Sequence, residues 1–269
     1  MRRYAAEPGQ YLVIRKKDGT AEHLPGPVSV WFEPVVHQEI HVAEATKVDA
    51  NEALVVYRQT DATVLRRVIR GPALFVPSPE EWVHQFQWHG ADAKLGHRKL
   101  PRGLQFTKLR VIPDQMYFDV ENVRTADDAL LVVKLMVFFE LHDIEMMLDQ
   151  THDPVADFIN ALSADIVDFV AASDFETFKT RTEALNRLGT YPQLLQRAEK
   201  IGYQINKVVY RGYYASDKLQ KMHDDAIECR TQLRLAAETE RQSQELADMK
   251  LAGEFERAAK RQEMEEAET

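Results

Sequence analysis

The sequence predicts an α+β protein in three parts. Small antiparallel β modules come first, a mixed α+β domain follows, and one long coiled-coil helix ends the chain. Three observations carry this prediction. Residues 1–90 hold short runs of β-branched and aromatic residues broken by Gly, Pro, Asn and Asp. From Asp153 the apolar spacing becomes helical. From Ser216 to the end there is no Pro and a single Gly, Gly253, so nothing interrupts a helix. The expected bounds are 1–45 and 46–90 for two β modules, 91–114 for a linker, 115–215 for the α+β domain and 216–269 for the helix.

In the first part, strands are expected at 11–14, 28–32, 35–42, 53–57, 64–69 and 73–76. Lys17-Asp18-Gly19-Thr20 is a hairpin turn, because Gly takes a positive φ at no steric cost. The region also repeats. Gly26-Pro27 recurs as Gly71-Pro72 and Glu33-Pro34 as Ser78-Pro79, both at an offset of 45 residues, and His37-Gln38 recurs as His84-Gln85 at 47. A period in the 20–50 range points to stacked modules. The polar stretch 91–104, with Gly96, Pro101 and Gly103, reads as a connecting loop.

In the second part, strands are expected at 109–112, 116–123 and 130–141. The last is apolar on both faces, as in a strand covered on both sides. Between Asp153 and Ala172, Val155, Phe158, Ile159, Leu162, Ile166, Phe169 and Val170 fall at helical spacing, and Pro154 suits a first turn. Ser173 and Glu176 form a capping-box pattern for a helix over 174–188. A further helix over 191–201 ends at Gly202, and 203–214 returns to strand. The expected core is Leu131, Val133, Leu135, Val137, Phe158, Leu162 and Ile166.

In the third part, Leu219, Met222, Ala226, Cys229, Leu233 and Ala236 follow 3-4 spacing, the seam of a coiled coil. Leu246, Met249 and Phe255 continue on a shifted seam, which implies a stutter or a change of partner. A helix this long, at ~1.5 Å per residue, outruns any core that the rest of the chain could offer. Its stripe is expected to lie on other copies, through Leu219, Met222, Ala226, Leu233, Leu246 and Met249.

Composition narrows the function. The 269 residues carry a net charge of -9, which argues against non-specific binding to nucleic acid. The single cysteine, Cys229, makes no internal disulfide and no cysteine-rich zinc site, and predicts an intracellular chain. The N-terminus lacks the apolar run of a secretory signal. The longest apolar run, 129–141, is interrupted by Lys134 and Glu140 and falls short of the ~20 residues that span a bilayer. No phosphate-binding, dinucleotide or nucleophile-elbow motif occurs. His37-Gln38-Glu39-Ile40-His41 only superficially resembles a metalloprotease helix, since no Glu follows the first His. Asp127-Asp128, Asp165/Asp168 and Asp224-Asp225 suit turns and helix termini better than a shared catalytic cleft. Arg66-Arg67-Arg70 and Lys94-His97-Arg98-Lys99-Arg102 read as solvated clusters. No enzyme activity, cofactor, metal or nucleic-acid partner is expected.

The second and third parts resemble the stomatin/prohibitin/flotillin (SPFH, or band 7) family. The likeness rests on Val123-Arg124-Thr125-Ala126-Asp127-Asp128-Ala129-Leu130, the run to Leu141, Met147 to Pro154, Gly202-Tyr203-Gln204-Ile205 and Ser216-Asp217-Lys218-Leu219. It covers about 115–269, and the order of these elements is more specific than any one of them. The first part is similar to the β-repeats of the major vault protein family, through Gly71-Pro72-Ala73-Leu74-Phe75-Val76-Pro77 and, more loosely, Gly26 to Pro34. That family places an SPFH-like domain and a long helix after its repeats; this chain has two apparent repeats rather than many, and a shorter helix. The resemblance implies a cytoplasmic structural scaffold that self-assembles into a ring, barrel or vault-like cage of many subunits. The alternative it implies is a peripheral membrane scaffold that organises a membrane partner such as a protease, touching the membrane through Trp31, Phe32, Trp82, Phe86 and Trp88.

Overall fold

A computed structural model describes residues 2–91 and 99–267, the side chains of Asp217, Ala258, Ala259 and 261–267 excepted. The fold is mixed α+β, with small antiparallel sheets and a long C-terminal helix. It divides into two compact units, Met1–Tyr214 and Ala215–Thr269.

The first module contains β1 (Arg3–Ala6), β2 (Gln10–Lys16), β3 (Ala21–Pro25), β4 (Val28–Trp31) and β5 (His37–Glu44). β1 pairs with β4, and β2 lies between β3 and β5, all antiparallel. Alternation along β2 turns Leu12 and Ile14 inward, where Ala6 and Ile40 meet them. The 17–20 turn forms as expected. Gly19 has φ 89, and Asp18 Oδ1 accepts the Thr20 N–H and hydroxyl.

The second module contains β6 (Thr46–Val48), β7 (Glu52–Gln59), β8 (Val64–Arg70), β9 (Ala73–Phe75), β10 (Glu81–Val83), β11 (Phe86–Ala91), β12 (Lys99–Phe106) and β13 (Lys108–Arg110). It reuses the first module's contacts. β6 pairs with β9 as β1 does with β4. The Glu7 N–H donates to the Gln10 side chain and the Gln10 N–H to the Glu7 carbonyl; Asp49 and Glu52 repeat both bonds. The Gly26 N–H donates to the Gln10 carbonyl and the Gly71 N–H to that of Glu52, and both Gly-Pro bonds are cis. A Cβ on Gly26 would strike the Glu7 carbonyl, and one on Gly71 the Asp49 carbonyl. Each of these glycines is required by this close backbone approach.

The modules differ in their third strand. β5 pairs along the whole of β2, from Gln10↔Glu44 to Lys16↔His37. In the second module that partner is split. β10 covers one end of β7 (Trp82↔Tyr57) and β13 the other (Leu109↔Ala53). The β11–β12 hairpin lies between them in sequence. The second module is therefore the first with a hairpin inserted into its last strand. This corrects the expected linker at 91–114, which holds β12 and β13. β12 was hidden because Pro101 and Gly103 interrupt it and most of its residues are exposed.

The α+β domain runs β14 (Asp114–Arg124), β15 (Leu130–Leu141), α1 (Ile144–Gln150), α2 (Pro154–Ala171), α3 (Phe175–Arg181), two 3-10 turns (Thr182–Asn186 and Leu188–Thr190), α4 (Pro192–Lys200) and β16 (Tyr203–Ala215). The sheet order is β14-β15-β16. Leu131, Val133, Leu135 and Val137 project from one face of β15 and are fully buried, as are Phe158, Leu162 and Ile166 of α2. The other face of β15 is only half-buried, so the strand is not covered equally on both sides.

Side-chain caps hold the helices. Asp143, Asp153 and Asp174 accept N–H bonds at the starts of α1, α2 and α3. Asp174, not Ser173, thus caps α3, and the Ser173 hydroxyl is buried without a partner among the described residues. Thr125-Ala126-Asp127 closes the β14–β15 turn. The Thr125 hydroxyl donates to Asp127 Oδ1, which also accepts the Phe175 N–H and so ties the turn to α3. α4 has no cap of its own. Asp165, buried on α2, accepts the Gln193 and Leu194 N–H groups instead, at 3.1 and 2.9 Å. Burial raises its carboxyl pKa, and the two N–H bonds oppose that shift. Gly202, at φ 76, ends α4 where a Cβ would strike the Asp143 carbonyl.

Two substitutions test these constraints. Gly71→Ala should lower unfolding stability by about 1–3 kcal/mol through overpacking against fixed backbone, read by urea denaturation; an unchanged midpoint would show that the approach can relax. Asp165→Ala should cost about 1–3 kcal/mol by stranding the buried Leu194 amide and freeing that of Gln193. Amide exchange should then quicken at Gln193 and Leu194 before it does in α2.

Candidate functional site

α5 (Asp217–Ala267) has 51 residues and is about 77 Å long at 1.5 Å per residue. The Leu219 N–H donates to the Ser216 hydroxyl at its start. Met222, Leu233, Leu246 and Met249 are 54–66% exposed; Ala226 is exposed and Leu219 half-buried.

At about 100° per residue most of the apolar side chains of α5 separate into two sets, Ala252 falling between them. Leu219, Met222, Ala226, Cys229, Leu233, Ala236, Ala237, Ala247, Leu251 and Phe255 lie within about 60° of one line along the helix. Glu240 and Gln244 interrupt that line. Ile227, Leu235, Leu246 and Met249 lie on the opposite face, about 180° away on average. Leu246 and Met249 leave the stripe of Leu219, Met222, Ala226 and Leu233, in keeping with a shifted seam, whereas Phe255 returns to it. The recurrence also differs from a heptad. Cys229/Ala247, Leu233/Leu251 and Ala237/Phe255 are each 18 residues apart, five whole turns of an unsupercoiled helix. A heptad fits only the first three heptads and fails at Glu240.

The aromatic face expected to meet a membrane does not exist as one surface. Trp31 and Trp82 are exposed, on different modules, and Trp82 stacks on Tyr57. Phe32 packs against the first module's core. Phe86 is 2% exposed and stacks on Phe106 at 5.1 Å; Trp88 meets Phe106 edge-on at 4.8 Å. Phe86 and Trp88 are two residues apart on β11 and so share the face that closes over β12. Phe86 is buried in the hairpin's interior, and Trp88 is half-buried beside it.

Sequence reasoning missed the junction where the inserted hairpin meets α2. Asp153 is buried, and its Oδ1 accepts the Ala156 N–H that starts α2. Its Oδ2 accepts the His89 N–H at 2.8 Å and lies 2.6 Å from His89 Nδ1. Beside it, Arg66 of β8 donates to Asp149 and Glu145 of α1 at 2.8 and 2.6 Å. These carboxylates hold the Arg66 guanidinium above its ordinary value, Asp149 contributing most. Tyr57, His84, His89, His152 and Asp149 line a cavity of about 670 Å³ at this junction. Both Asp153 oxygens are engaged in holding structure. Among the described residues no group of three or more His, Cys, Asp or Glu could hold a metal ion. His37 and His41 lie on β5, and the His37 ring accepts the Glu33 N–H. Of the basic clusters, Arg67 pairs with Glu81, while Lys94, His97 and Arg98 lie outside the described residues. The only sequence signal for the junction was Asp153-Pro154 as a helix start, which says nothing of His89.

No protein-family model matches this chain, and no curated protein does. Function therefore rests on the geometry of these surfaces. No helix among the described residues is long and apolar enough to cross a membrane.

Asp153→Ala removes a helix cap and strands the half-buried His89 amide, so it should cost about 2–4 kcal/mol. His89→Gln should cost less, and a double-mutant cycle should show coupling between the two; additivity would mean that they act independently. Burial holds the His84 imidazole below its ordinary value. The folded state thus disfavours its proton, and stability falls as pH drops below the ordinary histidine range toward the folded value. Between about pH 7 and pH 5, wild type should lose stability that His84→Gln retains.

Proposed function

We propose that this protein is a non-enzymatic structural scaffold that self-assembles through its SPFH-like domain and α5 into a ring, barrel or vault-like cage. The observation that carries the reading is the apolar surface along α5, with Met222, Leu233, Leu251 and Phe255 all more than half exposed. Isolated exposed apolar residues are ordinary, but aligned ones along a helix of this length mark a packing surface. The order of elements adds support. Two β modules, a three-stranded sheet with its helices, and a long helix follow one another as the resemblance to the SPFH and vault families implies. Each helix added to such an assembly removes its neighbour's stripe from water, at roughly 25 cal/mol per Å² before ordering costs.

Light scattering on the native protein should give a defined mass many times 30.9 kDa. Met222→Asp with Leu233→Asp should reduce it to a single chain while the β-sheet signal in circular dichroism persists. An unchanged mass would remove α5 from the assembly.

One observation favours the second reading, a peripheral membrane scaffold. Trp31, Val35 and Val36 are exposed close together in sequence at the end of the first module, and Trp is favoured where apolar and polar phases meet. On that reading the protein floats with liposomes, and Trp31→Ser with Val35→Ser abolishes flotation. Wild-type protein that stays in the dense fraction speaks against it.

A further inference from the structure

The first unit holds a cavity that its own packing leaves open. It lies where the inserted hairpin and the β13–β14 link meet the end of the α+β sheet, and it measures about 340 Å³. That is the lower end of small-molecule sites, roughly 300–1,000 Å³. Its lining is aromatic from two directions. Trp88 and Phe106 come from the hairpin, and Phe139 and Tyr203 from β15 and β16. Phe158 fixes the second pair, its ring 5.3 Å from each. Leu104 and Ile112 add aliphatic surface that is 47% and 39% exposed.

The polar groups at this cavity are few and largely without partners. The Trp88 indole N–H is buried with no acceptor among the described residues. Tyr203 is 6% exposed, and its hydroxyl makes no hydrogen bond among the described residues. Burial raises the pKa of that hydroxyl, and Asp114 adds to the shift, so it stays a neutral donor. A ligand acceptor that reaches such a group relieves the cost of leaving it unmade. Four charged residues also line the cavity. Lys108 and Glu52 pair with each other at 3.5 Å. Arg110 and Asp114 flank Ile112 at alternate positions and are exposed. Asp114 accepts only the neighbouring Gln115 N–H, through Oδ1, and neither charge has an ion pair among the described residues. One free cation and one free anion thus stand beside an aromatic lining.

We infer that this cavity binds a small aromatic zwitterion, a free α-amino acid with an aromatic side chain. The ring packs among Trp88, Phe106 and Phe139, where offset and edge-on contacts favour another ring. Arg110 takes the carboxylate through its planar fork, and Asp114 takes the ammonium. The Tyr203 hydroxyl, within the field of Asp114, offers a further bond beside them. A ligand with only one of the two charges meets one of these residues and is repelled by the other. The inference is independent of self-assembly.

The chain has three tryptophans, and this permits a direct test. With Trp31→Phe and Trp82→Phe, Trp88 is the sole indole and reports on the cavity. L-Phenylalanine, which does not absorb where tryptophan is excited, should change its emission saturably, with one ligand per chain. Phenylpropionate lacks the ammonium and phenylethylamine lacks the carboxylate. Each should bind about fivefold more weakly, the scale of one exposed charge contact. Arg110→Gln should weaken phenylalanine and phenylpropionate but not phenylethylamine. Asp114→Asn should weaken phenylalanine and phenylethylamine but not phenylpropionate. Both side chains are exposed, so neither variant endangers the fold. Equilibrium dialysis with labelled phenylalanine repeats the measurement on wild type without the reporter. Absence of saturable binding by both methods overturns the inference. Equal affinity for the three compounds, or binding indifferent to both variants, overturns it as well and leaves a plain apolar cleft.

Discussion

One buried carboxylate, Asp153, fixes how the first unit is joined. It starts α2, the helix whose Phe158, Leu162 and Ile166 complete the core over β15. It also grips His89 through backbone and ring, and so binds the inserted hairpin to that helix. A carboxylate taken out of water must have its lone pairs filled. Here the fillers come from two elements far apart in sequence, so the desolvated charge is satisfied only when both are in place. Arg66 adds a second tie through α1, but it is more exposed and worth less.

The β modules show how a repeated local rule builds a repeated unit. Each has a turn in which the first residue's N–H is taken by the side chain three positions on. Each returns a glycine against that turn's carbonyl, where no side chain fits. The modules diverge only where the second admits the hairpin. That hairpin brings Phe86, Trp88 and Phe106, and with them an aromatic interior of its own.

Local physics was readable in the sequence wherever it acted within a few residues. The 17–20 turn, α2 with its Pro154 start, α4 with its Gly202 end and the long C-terminal helix all follow from spacing and capping chemistry. What escaped was non-local. β13 belongs to β7, more than fifty residues earlier, and a three-residue strand carries no periodicity. Phe86 and Trp88 have the composition of an exposed aromatic patch, and only their pairing with β12 shows that Phe86 is buried and Trp88 half-covered. Along α5 the heptad was legible for three repeats. The second face needed the true helical period, since 3.5 and 3.6 residues per turn diverge by about 20° per heptad.

The split third strand has a consequence for how the chain is made. β10 reaches only one end of β7, and the other end stays unpaired until β13 is present. As the chain leaves the ribosome, the first module can close once Glu44 has emerged. The second cannot close its sheet before Arg110, after the whole hairpin has passed. During that interval β7, whose Ala53 to Val56 are fully buried in the finished protein, presents a bare apolar edge. Synthesis therefore holds a window in which this module is most open to mispairing with a neighbouring nascent chain.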